Sequence, residues 1–366
     1  MYKLVKVQIN KVIKDGVLQT DLYTEDEILL LSKGKQVTSD IYALIENIEK
    51  SNLYLYQKIE YGDIDAVKFD KIIKFDEQIK QRAVQTIDYI YKSTDVKHSV
   101  AQANELSDIL VDTVTSDLSV SISLDELKCS DEYTFKHSLD VASMAVLLGR
   151  ELGLDYKELK ELAVAGLMHD VGKTKIPNEI INKPDKLTDE EFAIMKKHPI
   201  YSYEIVKDTT DMSEVSKMAV LQHHEKWNGA GYPWHVKGYN INYYARILAV
   251  ADVFDALVTD RPYHKHFTPS DAIEIMQGMV DSFDLKILKV FLHCIILYPV
   301  GSLVALSNGD TAVVLENNKE NILRPLIRTI NSKQTMDLAN DLKCASILIT
   351  GAVDDYNADI QENAAL

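Results

Sequence analysis

The chain has 366 residues, 46% of them apolar, which is enough for two or three packed units and argues against a largely disordered protein. Its 56 Asp and Glu outnumber 40 Lys and Arg, giving a formal charge of −16. That balance opposes a generic grip on nucleic-acid polymers, because such binding runs on cations that neutralise phosphates. Three cysteines, Cys129, Cys294 and Cys344, form no CxxC pair and offer neither a disulfide framework nor a thiolate zinc site.

The opening Met1-Tyr2-Lys3-Leu4 has no basic region followed by a long apolar stretch, so no secretory signal is predicted and a cytoplasmic protein is expected. Residues 1–60 mix short apolar runs (Tyr2 to Ile9, Ile28 to Leu31, Leu53 to Tyr56) with a helical stretch from Ser39 to Ile48, and read as a small α+β unit. Residues 61–127 are polar with apolar positions at three and four spacing, a helical connector expected to serve as a spacer or a homodimer contact. Residues 128–296 read as helices separated by Gly and Pro, the pattern of a bundle. Within it, Thr188 and Glu191 predict a capping box ahead of Phe192. Residues 297–350 return to short strands around Ser307-Asn308-Gly309-Asp310, and 351–366 form an acidic tail. The uncharged stretch from Val290 to Ser307 is interrupted by Pro299 and Gly301, so a buried helix leading into a hairpin is predicted there rather than a membrane span. The fold class expected is mainly α, with a small N-terminal α+β unit and a short C-terminal β extension.

The helical region carries an ordered series of His137, His169-Asp170, His198, His223-His224 and Asp252, spaced about one helix plus a turn apart. Such spacing delivers one or two ligands per helix into the middle of a bundle, and imidazole with carboxylate suits two divalent ions of iron, manganese or zinc. Asp252 lies among Leu248, Ala249 and Ala256, where an unpaired carboxylate would be costly. Each residue alone has a bland explanation as a satisfied core group; seven in ordered series do not, since all would need buried partners. Two metals sharing a carboxylate can activate a hydroxide and polarise a phosphoryl oxygen. Asp170 is the expected bridge, and Lys173 is placed on the face of His169 to meet a phosphate.

His169-Asp170-Val171-Gly172-Lys173-Thr174-Lys175-Ile176-Pro177 resembles the HDxGKxxIP motif of HD-GYP domains. His223-His224-Glu225 through Gly231-Tyr232-Pro233 resembles HHExxDGxGYP, and Ala251-Asp252-Val253-Phe254-Asp255-Ala256-Leu257 with Arg261-Pro262-Tyr263 is similar to the family's third stretch. The resemblance covers about His137 to Met276 and implies an HD-type helical bundle that hydrolyses cyclic di-GMP to pGpG or GMP. It implies metal ligation by His137, His169, Asp170, His198, His223, His224 and Asp252. Substrate contacts by Lys173, Arg261, His264 and Tyr232 and a catalytic role for Asp170 and Lys173 also follow from it, and a diguanylate cyclase (GGDEF) is the partner expected if the chain acts as a scaffold. Some members add a Glu four residues before the first ligand histidine and hold a third metal. Tyr133 stands there, beside Glu132, so two metals are expected. Asn228 replaces the usual Asp, His264 replaces a Lys or Arg, and Ser202 stands where many members have Gly. The His264 departure keeps a second reading open, a nucleotide sensor or scaffold without turnover, and a third keeps the enzyme with another cyclic dinucleotide as substrate.

Overall fold

The computed structural model describes residues 2–7, 16–18, 20–24, 27–50, 55–60, 77–116, 122–123, 133–259 and 267–353. It divides into two compact units, residues 70–297, and a second that groups residues 1–69 with 298–366. The N-terminal part of the second unit contains β1 (Tyr2–Val7), β2 (Leu22–Tyr23), β3 (Leu29–Leu31), α1 (Ser39–Lys50) and β4 (Leu55–Glu60). Its sheet runs β1-β4-β2-β3, with β1 antiparallel to β4 from Tyr2 opposite Glu60 to Val7 opposite Leu55. Leu22, Val37, Ile45 and Leu55, each about fully buried, form its core, as the predicted α+β pattern requires.

The unit of residues 70–297 holds α2 (Glu77–Lys92), α3 (Val96–Thr115), β5 (Ile122–Ser123), α4 (Tyr133–Glu151) and α5 (Tyr156–Met168). A 3-10 turn at Val171–Lys175 is followed by α6 (Asn178–Ile181), α7 (Asp189–Met195), α8 (His198–Val206) and α9 (Glu214–Gln222). The rest is α10 (Tyr243–Val258), α11 (Pro269–Gly278), α12 (Leu285–Cys294) and β6 (Ile295–Ile296), which pairs parallel with β5. The helix starts follow the sequence closely. Thr188 and Glu191 make the predicted reciprocal capping box, Asp155 and Glu158 make a second, and Asn242 accepts from the Ala245 amide. The central helix is α10, apolar nearly all round, with Ala245, Ile247, Leu248, Val250, Ala251 and Phe254 completely buried. Phe254 meets Phe291 of α12 edge to face at 4.9 Å. Helices α2 and α3, from the segment read from sequence as a connector, fall within this unit, and α3 buries Val100, Ala103, Leu106, Leu110 and Val111 almost completely.

In the C-terminal part of the other unit, β7 (Leu303–Leu306), β8 (Thr311–Glu316), β9 (Leu326–Thr329), β10 (Thr335–Asp337) and β11 (Ile349–Ala352) form an antiparallel sheet in the order β10-β9-β8-β7-β11. The hairpin at Ser307–Asp310 is closed by the Asn308 side chain, which accepts from the Asp310 amide at 3.1 Å. The Val290–Ser307 stretch resolves as the end of α12 followed by short strands. Among the described residues, no helix is long and apolar enough to cross a membrane.

The small-residue face at Ala165 and Gly166 admits a neighbour: a Cβ on Gly166 would lie 2.8 Å from Cα of Ala142 on α4. This approach sets the spacing between the helices that supply His137 and His169. Gly166→Val is expected to destabilise the protein by about 1–3 kcal/mol or more through overpacking, which urea unfolding read as a lowered midpoint at unchanged slope would measure.

Candidate metal centre

The seven predicted ligands converge in the unit of residues 70–297. His137 comes from the first turns of α4, and His169 caps the C-terminus of α5 with Asp170 entering the 3-10 turn. His198 is the first residue of α8, His223 caps α9 with His224 beside it, and Asp252 lies within α10. Several ligands thus sit at helix ends rather than along helix faces. All but His224 are less than about a tenth exposed, and the His224 side chain is 24% exposed.

Asp170 is the hub. Its Oδ2 lies 3.4 Å from His137 Nε2 and 3.3 Å from His169 Nε2, and its Oδ1 lies 3.1 Å from His198 Nε2 and 4.0 Å from His223 Nε2. Two sets of donor atoms are each compact enough to hold one cation: His137, His169 and Asp170 on one side, and Asp170, His198, His223 and His224 on the other. Asp170 belongs to both. Asp252 spans the same gap, with Oδ1 3.2 Å from His137 Nε2 and Oδ2 3.5 Å from His224 Nδ1.

The rings are aimed by their other nitrogens. Nδ1 of His169, His198 and His223 each approaches the carbonyl oxygen three residues earlier, at Gly166 (2.6 Å), Met195 (2.8 Å) and Val220 (2.7 Å). A neutral ring that donates Nδ1–H to a carbonyl presents an unprotonated Nε2 to the centre, which is the form a metal takes. His137 is held differently: its Nδ1 meets Oδ2 of Asp255 at 2.6 Å, and Thr259 donates to the other Asp255 oxygen. Asp255 is buried within the Ala251 to Leu257 stretch, and its role toward His137 is not among those expected from the sequence. Its position three residues after Asp252, on one helical face of an apolar helix, is the signal that could have found it.

The electrostatics suit a cation. Burial pushes the His223 and His224 rings toward neutrality, His224 down to about 3, and for His223 the neighbouring imidazoles add to the effect. Burial also opposes charge on His137, but the carboxylates of Asp170, Asp252 and Asp255 outweigh it and hold that ring well above the usual histidine range. For Asp170, burial is outweighed by Lys173 and the histidines, which hold the carboxyl well below its ordinary value; His137 and His224 do the same for Asp252. His137 Nε2, His169 Nε2 and Asp170 Oδ1 are buried with no hydrogen-bond partner in proper geometry, although other polar atoms lie near. Buried polar atoms in that condition carry a penalty that a coordinated ion removes, so the donor set fits a pair of divalent metals.

Lys173 lies on the 3-10 turn, because α5 ends before it, and its ammonium is bonded to Asp170 Oδ2. Tyr232 stacks on His224, ring centroids 4.7 Å apart and planes 34° apart. Its loop is drawn in by three contacts. The Tyr232 amide donates to the His224 carbonyl at 3.1 Å, and the buried carboxylate of Glu225 accepts from the Trp234 amide at 2.7 Å. Gly231 packs so closely on the His224 carbonyl and the Lys226 amide that a Cβ would collide with them. Ser202, the departure from Gly, is accommodated by accepting a hydrogen bond from the Gly172 amide at 2.7 Å. Asn228 keeps its turn, accepting from the Ala230 amide at 2.9 Å. Arg261, His264 and Glu132 lie outside the described residues.

Residues 121–287 match the family model described as HD domain. The part of the chain that bears the centre therefore matches an HD domain, and its His169-Asp170 pair and Gly231-Tyr232-Pro233 turn resemble the HD-GYP signatures. The chain is 37% identical over 235 residues to cyclic di-GMP phosphodiesterase PA4108 of Pseudomonas aeruginosa, a match covering 64% of this chain and 57% of the relative. It is 32% identical over 204 residues to cyclic di-GMP phosphodiesterase PdeB of Borreliella burgdorferi, covering 56% and 54%. A 3'3'-cGAMP-specific phosphodiesterase 1 of Vibrio cholerae is 38% identical over 149 residues, covering 41% and 34%. The chain thus spans little more than half the length of the first two relatives. A solved HDGYP protein from Bdellovibrio bacteriovorus aligns with TM-score 0.45 at 18% identity, covering 80% of this chain and 98% of that one.

Removing the Asp255 carboxylate frees the His137 ring to turn and to change tautomer. Asp255→Ala is expected to weaken metal binding by about 10–100-fold, the usual effect of deleting such a support, while leaving His169, His198 and His223 anchored. Metal titration followed by elemental analysis would check this, against an expected near-normal content for the neighbouring Thr259→Val.

Proposed function

We propose that this chain is a metal-dependent phosphodiesterase that hydrolyses cyclic di-GMP to pGpG or GMP. The observation that carries the reading is the sharing of one carboxylate, Asp170, between two sets of metal-ligand atoms, joined to the similarity of this region to cyclic di-GMP phosphodiesterases. His137, His169, Asp170 and Asp252 would hold one ion and Asp170, His198, His223 and His224 the other, with iron or manganese preferred and zinc also compatible with the N and O donors. A bound pair of divalent ions supplies Lewis acidity toward a phosphoryl oxygen and lowers the pKa of water.

The chain's own residues do the rest. Asp170 keeps both ligand sets in register and stays ionised under the pull of Lys173 and His169. Lys173, only a quarter exposed, brings a cation to the edge of the centre, where it can shift from the carboxylate to a substrate phosphate. Arg261 and His264 are assigned the same kind of contact from the sequence. Tyr232, fixed over His224, offers an aromatic wall beside the ligands, and the Glu225 anchor keeps that wall in place. A strongly acidic chain needs such local positive charge to draw in a dianionic substrate.

The kinship with 3'3'-cGAMP-specific phosphodiesterases favours a second reading, the same reaction on a mixed cyclic dinucleotide. Protein purified without oxygen is expected to cleave cyclic di-GMP with two metals per chain. Asp170→Ala should lose metal and turnover together, whereas Lys173→Ala should lower turnover by about a hundredfold, as loss of a charge-stabilising donor does, with metal retained. Cleavage of 3'3'-cGAMP with cyclic di-GMP left intact would replace the first reading by the second, and full metal occupancy with nucleotide binding but no cleavage would replace both by a sensor.

A further inference from the structure

Asp170 stands in two roles at once. It is shared by both donor sets, and it is also the N-cap of the 3-10 turn Val171–Lys175. A carboxylate at an N-cap ordinarily turns back to accept from an amide two or three residues on, satisfying a backbone donor that the start of a helix leaves open. Asp170 makes no such bond. The Lys173 amide is taken by the Asp170 carbonyl at 2.9 Å, so the Gly172 amide is the donor that a capping carboxylate would claim.

That amide is filled from another helix instead. Ser202, one turn after the ligand His198 on α8, accepts from it through Oγ at 2.7 Å, and both residues are buried. The two segments meet backbone to backbone: a Cβ on Gly172 would collide with the His198 carbonyl and the Ser202 amide. Asp170 is open to the exchange that Ser202 blocks. Its Oδ1 is buried with no hydrogen-bond partner in proper geometry and lies 3.1 Å from His198 Nε2. An unclaimed amide on the same turn would compete for that oxygen, as short acidic side chains commonly bond the backbone beside them.

We propose that Ser202 is a positioning residue of the metal centre: by capping the 3-10 turn in place of Asp170, it leaves both Asp170 oxygens turned to the imidazoles. Capping and ligation, which would otherwise fall on one carboxylate, are divided between two elements. His198 and Ser202 share a face of α8, so the same bond holds the first turn of that helix against the segment that carries Asp170. The inference rests on the reading of these residues as a metal centre and not on the reaction proposed for it.

The test is calorimetric titration of the metal-stripped full chain with manganese. The wild-type chain is expected to take two ions, and Ser202→Ala should bind both about tenfold more weakly or worse, as loss of a ligand's support does, because Asp170 belongs to both donor sets. Thr174→Val removes a different hydroxyl bond of the same turn, the one from Thr174 to the Val171 carbonyl at 2.8 Å, and should bind manganese as the wild type does. Ser202→Thr, which restores the accepting oxygen, should recover most of the lost affinity. Should it fail to fold, as circular dichroism would report, the comparison of Ser202→Ala with Thr174→Val decides. Unchanged affinity in Ser202→Ala, an equal loss in Thr174→Val, or a folded Ser202→Thr as weak as Ser202→Ala would each overturn the proposal and leave the metal centre standing. A wild-type chain that takes no manganese would remove the metal centre and the proposal with it.

Discussion

Everything in the helical unit is arranged around one buried negative charge. The Asp170 carboxylate is 1% exposed, and a carboxylate in that setting is tolerated only when several partners compensate it. Four imidazoles within 4.0 Å and the ammonium of Lys173 supply that compensation, and they come from α4, α5, α8, α9 and the 3-10 turn. The packing of these elements is therefore dictated twice over, by their apolar faces and by the need to bring nitrogen to one oxygen pair. Positive charge at the centre is demanded by the fold itself, and the donor set is compact enough to hold cations there.

The supports divide into two kinds. Apolar packing sets the distances: Gly166 lets α4 and α5 touch, and α10 passes through the middle with Asp252 and Asp255 on the same face. Hydrogen bonds set the directions, through the carbonyls that receive the Nδ1 atoms and the Glu225 carboxylate that holds the Tyr232 loop. A helix that shifted by a residue would keep its burial and lose its aim, so directional bonds rather than hydrophobic area define the chemistry available here.

Much of this was legible in the sequence, because ligand chemistry is carried by residue type and spacing. The convergence of the seven candidate ligands, the membership of Asp170 in two donor sets, the capping box at Thr188 and the strand character of both terminal segments all agree with the pattern. What escaped is what depends on three-dimensional neighbours. That Lys173 bonds Asp170 could not be read from a helical wheel, because the helix stops at Met168 and the chain tightens into a 3-10 turn. Asp255 stood in a recognised stretch, yet its partner His137 is 118 residues away, a separation that no local periodicity encodes. The inclusion of α2 and α3 in the helical unit was hidden by their polar surfaces, since burial of one apolar stripe is all that packing requires.

Anchoring three rings on main-chain carbonyls has a bearing on how such a centre responds to substitution. A carbonyl belongs to the peptide bond and is present whichever amino acid occupies Met195 or Val220, so those two supports are not erased by changing one side chain, whereas any side chain at Gly166 would press on α4. His137 alone among the tethered rings is steadied by a side chain, that of Asp255. Loss of a single side chain therefore acts asymmetrically on the centre: the half that contains His137 loses its aim when Asp255 changes, while the half built on His198 and His223 keeps its main-chain anchors.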